Sequence, residues 1–167
     1  MGRLESAWFG LTDFLDKVGD VIPPLGLRLI LAWEYFDSGL AKFQGENWFS
    51  GIQGNFPYPF NVVDPAISWQ LATWTELVGG VLLAIGFMTR LTSLSLIILT
   101  VVATLAVHWP EGWQTLGELW KGYAISDKGY GNFKLPLLFL LMFLPLFFSG
   151  PGKVSVDHLI RRSKRGF

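Results

Sequence analysis

Leu4, Trp8, Leu11, Leu15 and Val18 recur at helical spacing, while Glu5, Thr12, Asp13, Asp16 and Asp20 take the other face. This pattern predicts an amphipathic helix over 4–21 lying in a membrane interface, with a helix packed on a soluble partner as the other reading. Pro23-Pro24 breaks the chain. Four apolar runs follow, Leu25 to Phe43, Ile67 to Phe87, Leu91 to Val107 and Leu135 to Phe148. None carries enough polarity for a solvated face, so they are read as membrane spans over about 25–43, 67–87, 91–108 and 133–149. The last run is short and crosses only with its flanks included or by thinning the bilayer. Met88-Thr89-Arg90 joins the second and third runs so tightly that those two helices are antiparallel neighbours. Gly150-Pro151-Gly152 stops the fourth, and 150–167 is a basic tail with Lys153, Arg161, Arg162, Lys164 and Arg165. The pattern predicts an all-α membrane protein of one domain, a four-transmembrane-helix bundle with an N-terminal interfacial amphipathic helix.

Two long loops separate these runs. Gln44 to Ala66 holds Trp48, Phe49, Phe56, Tyr58 and Phe60, which is too apolar for a free linker. It is expected to fold back over the bundle or lie among headgroups. In Glu111 to Phe133, the spacing of Trp113, Leu116, Leu119 and Trp120 suggests a short interfacial helix.

Composition agrees with a membrane setting. The 167 residues are 51% hydrophobic with a mean hydropathy of +0.41, and 16% are charged, against about 25% in ordinary soluble domains. The absence of cysteine excludes disulfides, cysteine-ligated zinc or iron–sulfur, c-type haem attachment and a thiol nucleophile. His108 and His158 fall on opposite faces, which argues against a metal site and bis-histidine haem. No internal repeat, nucleotide loop or HExxH motif is present, and no nucleic-acid partner is expected. Acids mixed into Leu4 to Val18 argue against a cleavable signal peptide. Arg3, Lys17, Arg90 and the tail lie on one side, with Lys121, Lys128 and Lys134 in a longer loop on the other. The positive-inside rule then places both termini in the cytoplasm and both aromatic loops outside.

The first span carries Arg28, Glu34, Asp37 and Lys42. Glu34, Ser38 and Lys42 form a stripe with Asp37 beside it, expected to face the bundle interior or a wet cavity. At a helical rise of about 1.5 Å per residue, Glu34 and Glu76 both lie roughly 15 Å deep, and His108 is level with Lys42. An unpaired charge at that depth costs on the order of 3 kcal/mol. The charges must pair, or some carboxylates must hold a proton. Arg28 can instead snorkel to the cytoplasmic face.

Arg28, Gly39-Leu40-Ala41-Lys42, Glu76 followed by Gly79-Gly80, Thr89-Arg90, His108, and Gly150-Pro151-Gly152-Lys153 leading to Ser155-Val156-Asp157 stand in an order that resembles the DoxX family. These are small four-helix membrane proteins related to the DoxD subunit of thiosulfate:quinone oxidoreductase. The resemblance covers roughly Leu25 to Asp157. Gly131-Asn132-Phe133-Lys134 replaces an acidic residue often found there in the family. The resemblance implies a bacterial inner-membrane protein linked to quinone, or to sulfur and oxidative-stress chemistry. Members are thought to serve as electron-transfer subunits, as organisers of partner proteins, or as accessories in metal-peptide operons.

Three readings of the polar residues stand side by side. A quinone pocket would take donors from His108 and Lys42, a proton path from Glu76, Glu34 and Asp37, with Arg28 nearby, and walls from Trp33, Trp74 and Trp109. An ion-pair network would fix helix register. An ion or substrate pathway is the third. The preferred function is a component of a redox system that meets the quinone pool through a protein partner. The alternatives are a non-catalytic scaffold anchoring a partner, or a small-molecule transporter working as an oligomer. Gly79-Gly80 and Gly86 are read as points of close helix approach.

Overall fold

A computed structural model describes residues 2–110, 112–125 and 131–165. Glu111 and Lys128, used above for loop bounds and orientation, lie outside the described residues. Among those described, the chain is all-α: α1 (Arg3–Gly19), α2 (Ile22–Gln44), a 310 turn (Phe49–Asn55), α3 (Pro65–Ile85), α4 (Thr89–Ala103) running on into a π turn (Thr104–His108), α5 (Leu116–Lys121), α6 (Lys134–Phe148) and α7 (Val156–Arg165).

Local chemistry sets these bounds. Pro23 and Pro24 sit in the first turn of α2, where the missing amides are no loss, so they start the helix. Pro65 opens α3 behind Asp64, whose carboxylate accepts from the Ala66 amide at 2.7 Å. Gly86 (φ 69°) closes α3, and Met88 (φ 49°) precedes α4. Thr115 and Glu118 form a capping box on α5, and the Gln114 amide holds the Glu118 carboxyl below the usual carboxylate range. The basic tail is not a free extension, because most of it forms α7.

α2, α3, α4 and α6 pack in a closed ring, with the α2–α3 interface the largest. Glycines allow this: a Cβ on Gly39 would lie 2.9 Å from the Leu77 amide, and one on Gly80 would lie 2.9 Å from the Ala32 carbonyl. A Cβ on Gly79 would meet Leu96 of α4 at 3.2 Å. The ring has two ends, a terminal end near α1 and α7 and a loop end under the long loops. Leu31, Tyr35, Leu83, Leu96, Phe143 and Leu146 form a core toward the terminal end. Phe49 and Phe56 from the first loop pack with Trp69 and Ala106 at the loop end, so this loop folds over the bundle.

Each ring helix exposes large apolar side chains on its outer face, among them Leu29, Val78, Ile98 and Leu141. Such a surface suits contact with something other than water. Thr89–His108 alone, among the described residues, is both long and apolar enough to cross a membrane, and only 33% of its apolar window is buried. α2 fails that test through its four charges, α3 through the polar residues of its first half, and α6 through its 15 residues.

The terminal end is tied by a segment distant in sequence. Arg28, 1% exposed, donates through Nη2 to the Val154 carbonyl at 2.7 Å. It does not snorkel to an outer face, because Gly86 and Ser155 close over it. A Cβ on Gly86 would fall 1.6 Å from Arg28 Nη1. Asp157 accepts from the Met88 amide at 2.8 Å and the Thr89 amide at 2.9 Å, capping α4 from α7. Lys153 pairs with Asp20 at 2.6 Å, which also joins the end of α1 to this knot.

Candidate functional site

Glu76 lies 4% exposed in the middle of α3, one turn from Thr73 and facing α2. The glycine notch at Gly39 brings the two backbones together beside it, since a Cβ there would touch Glu76 Cβ at 3.0 Å. One turn farther along α2, Lys42 reaches across. Its Nζ donates to Glu76 Oε2 at 2.8 Å and Oε1 at 3.0 Å, and to Ser38 Oγ at 2.8 Å. Ser38 Oγ donates to Glu76 Oε1 at 3.3 Å. The pair is therefore both compensated and hydrogen-bonded, as a buried charge requires.

A cavity of about 530 Å³ opens beside this pair, within the range of small-ligand sites. Ser38, Lys42, Ser68, Thr75, Glu76, Ser95 and His108 supply its polar points. Leu71, Ile98, Leu99 and Val102 line the helix side, and Trp48, Phe49, Phe56 and Phe60 from the first loop cover it. A second cavity of about 290 Å³ shares Ser38, Glu76, Leu99, Ala103 and His108 with the first and reaches Glu34, Tyr35, Thr100 and Asn132. Glu76 and His108 thus stand on the wall between two chambers.

His108 ends the π turn that follows α4; such turns often occur at functional sites. Its Nδ1 bonds Asn132 Oδ1, and the Asn132 amide donates to the His108 carbonyl at 3.0 Å. Gly131 (φ 74°) makes this possible, because a Cβ there would lie 2.5 Å from the His108 carbonyl oxygen. Asn132 Oδ1 can only accept, so Nδ1 carries the hydrogen and Nε2 of the neutral ring is an acceptor.

The structure sorts the sequence candidates. Lys42, Glu76 and His108 come together. Glu34 borders the second cavity at its exposed rim and makes no bond to Glu76, so the two carboxylates do not pair; Lys42 neutralises Glu76 instead. Asp37 and Trp33 (71% exposed) lie on the outer face of α2, about 120–160° around the helix from Tyr35 and Gly39, so neither faces the interior. Trp74 packs on Phe43 and Trp109 on Phe133; neither lines the two cavities beside Glu76. Arg28 belongs to the terminal-end knot. The wall rings come from the first loop, whose fold no periodicity announces.

Ser68 was missed. It is 7% exposed, lines the larger cavity and has no hydrogen-bond partner for its hydroxyl. Its spacing was available: Ser68, Ala72 and Glu76 fall at i, i+4 and i+8 on one face of α3.

DoxX is the family that matches, over residues 24–109, just over half of the chain. An uncharacterised protein of Haemophilus influenzae is 41% identical over 148 residues, which is 89% of this chain and 89% of that one. No solved structure matches.

Proposed function

As this chain is a membrane protein of the DoxX family, we propose that it binds a quinone head group in the larger cavity, as the membrane component of a redox system. The observation that carries this reading is the unpaired hydroxyl of Ser68 in a largely apolar chamber. Ser68 Oγ is buried without a partner, which costs about 1–3 kcal/mol unless a ligand or water meets it. His108 lines the same cavity; its Nδ1 hydrogen is given to Asn132 Oδ1, so the neutral ring offers Nε2 as an acceptor, which suits a quinol hydroxyl. A quinone presents carbonyl acceptors on a flat ring and turns them into hydroxyl donors on reduction, which suits the Ser68 donor and the His108 acceptor between aromatic and aliphatic walls. Glu76 and, across the second cavity, Glu34 would carry protons to the ring oxygens. A protein partner would deliver the electrons. The chain itself holds the ring, excludes water and moves protons.

In this reading α2, α3, α4 and α6 are four spans of a bacterial inner membrane, with both termini cytoplasmic. Their apolar outer faces and the bases at Arg90, Arg161, Arg162 and Lys164 support that placement. The short α6 would require local thinning of the bilayer.

Protein purified in mild detergent is expected to retain extractable quinone and to bind a soluble quinone analogue. His108→Ala should weaken that binding roughly tenfold, the equivalent of one lost hydrogen bond of about 1.4 kcal/mol, with helix content unchanged. Analogue affinity unaltered in His108→Ala would sink the quinone reading and leave the Lys42–Glu76 pair as a device for helix register in a scaffold protein.

A further inference from the structure

We propose that the terminal end of the bundle carries a binding site for the phosphodiester headgroup of an anionic phospholipid, held between Arg90 of α4 and Arg161 of α7. The two side chains converge over Gly150 (φ 93°). A Cβ placed there would lie 3.6 Å from Arg161 Nη2 and 3.8 Å from Arg90 Nε, so both guanidiniums come within van der Waals reach of this one position. Each spends one donor on backbone: Arg90 Nη2 on the Phe148 carbonyl at 3.0 Å, Arg161 Nε on the Asp157 carbonyl at 3.4 Å. A guanidinium has five donors, so most remain unspent. Among the described residues no carboxylate lies within 4.0 Å of either, the ion pairs being Lys42–Glu76 and Lys153–Asp20. The carboxylate of Asp157 is engaged by the amides that begin α4.

Two neighbouring cations without a counterion repel each other, and a bridging anion reverses the sign. A phosphodiester fits because guanidinium forks match its paired oxygens. The surroundings argue for a lipid over a free ion. Phe148, whose carbonyl holds Arg90, is 68% exposed, which offers an acyl chain an apolar ring next to the charges. The gap also sits where α6 ends and α4 begins, the depth at which lipid headgroups would lie against a bundle spanning the bilayer.

The full chain in mild detergent, titrated with phosphatidylglycerol or phosphatidylcholine and weighed by native mass spectrometry, tests this. Wild type is expected to retain phosphatidylglycerol in preference to phosphatidylcholine. Arg161→Gln should cut the preference roughly fivefold, and the double variant with Arg90→Gln should abolish it. Should loss of the Phe148 bond loosen the double variant, Arg161→Gln on its exposed helix carries the test alone. Equal retention of both lipids by wild type, or full preference in Arg161→Gln, overturns the proposal. Displacement of the lipid by inorganic phosphate at equal concentration would mark a free-anion site and overturn it too. Quinone binding is unaffected by any of these outcomes.

Discussion

Lys42 Nζ stands 2.8 Å from one carboxylate oxygen of Glu76 and 3.0 Å from the other, bridging α2 and α3 with Glu76 buried and Lys42 half-buried. Removing one partner leaves the other charge or its donors without compensation. Glu76→Gln or Lys42→Met is therefore expected to cost about 3 kcal/mol, while Lys42→Met with Glu76→Leu should recover most of it. Thermal unfolding of the detergent-solubilised variants measures this. A double variant weaker than both singles would show that the two side chains do not act as a pair.

Ser68 makes the opposite kind of case. Its hydroxyl is buried and unpaired, so Ser68→Ala should leave stability unchanged or raise it by about 1 kcal/mol. Affinity for a quinone analogue should nonetheless fall several-fold. A loss of stability without a loss of affinity would place the hydroxyl in the fold and outside the site.

The α2–α3 contact tolerates no side chain at Gly80, where a Cβ would meet Ala32 O and Phe36 Cβ, both at 2.9 Å. Gly80→Val is expected to cost on the order of 3 kcal/mol by overpacking. Gly51→Ala, with nothing within 4 Å, should change stability by less than about 0.5 kcal/mol. Equal melting temperatures for the two variants would refute the close approach.

Asp157 caps α4 although it lies 68 residues beyond Thr89. Asp157→Ala should cost about 1–2 kcal/mol, with Asp157→Asn in between because it keeps one acceptor. Hydrogen exchange at the Met88 and Thr89 amides should quicken in Asp157→Ala. Unchanged protection there would mean another group serves as the cap.

Much of the architecture was legible from residue order. Apolar runs bounded by Pro23-Pro24, the Met88-Thr89-Arg90 turn and Gly150-Pro151-Gly152 fall on α2, α3, α4 and α6, because helix period and breaker chemistry are local properties. Gly79-Gly80 were legible as close helix approaches for the same reason, since only the missing Cβ matters there, whereas Gly86 proves to be the left-handed cap of α3 over Arg28.

The partner of each charge was a tertiary decision. Equal depth made Glu34 and Glu76 candidates to meet, but depth fixes only height along an axis. Azimuth is set by packing, and the Gly39 and Gly80 notches rotate α2 so that Lys42 and Ser38 face Glu76 while Asp37 turns outward. Arg28 found the Val154 carbonyl, 126 residues away, only because the tail folds back under α3 and α4. The cavity walls belong to a loop without periodicity, whose rings acquire a place only by packing on Trp69. Which residues are helical followed from neighbours in sequence; which of them touch depended on how whole helices rotate and close against one another.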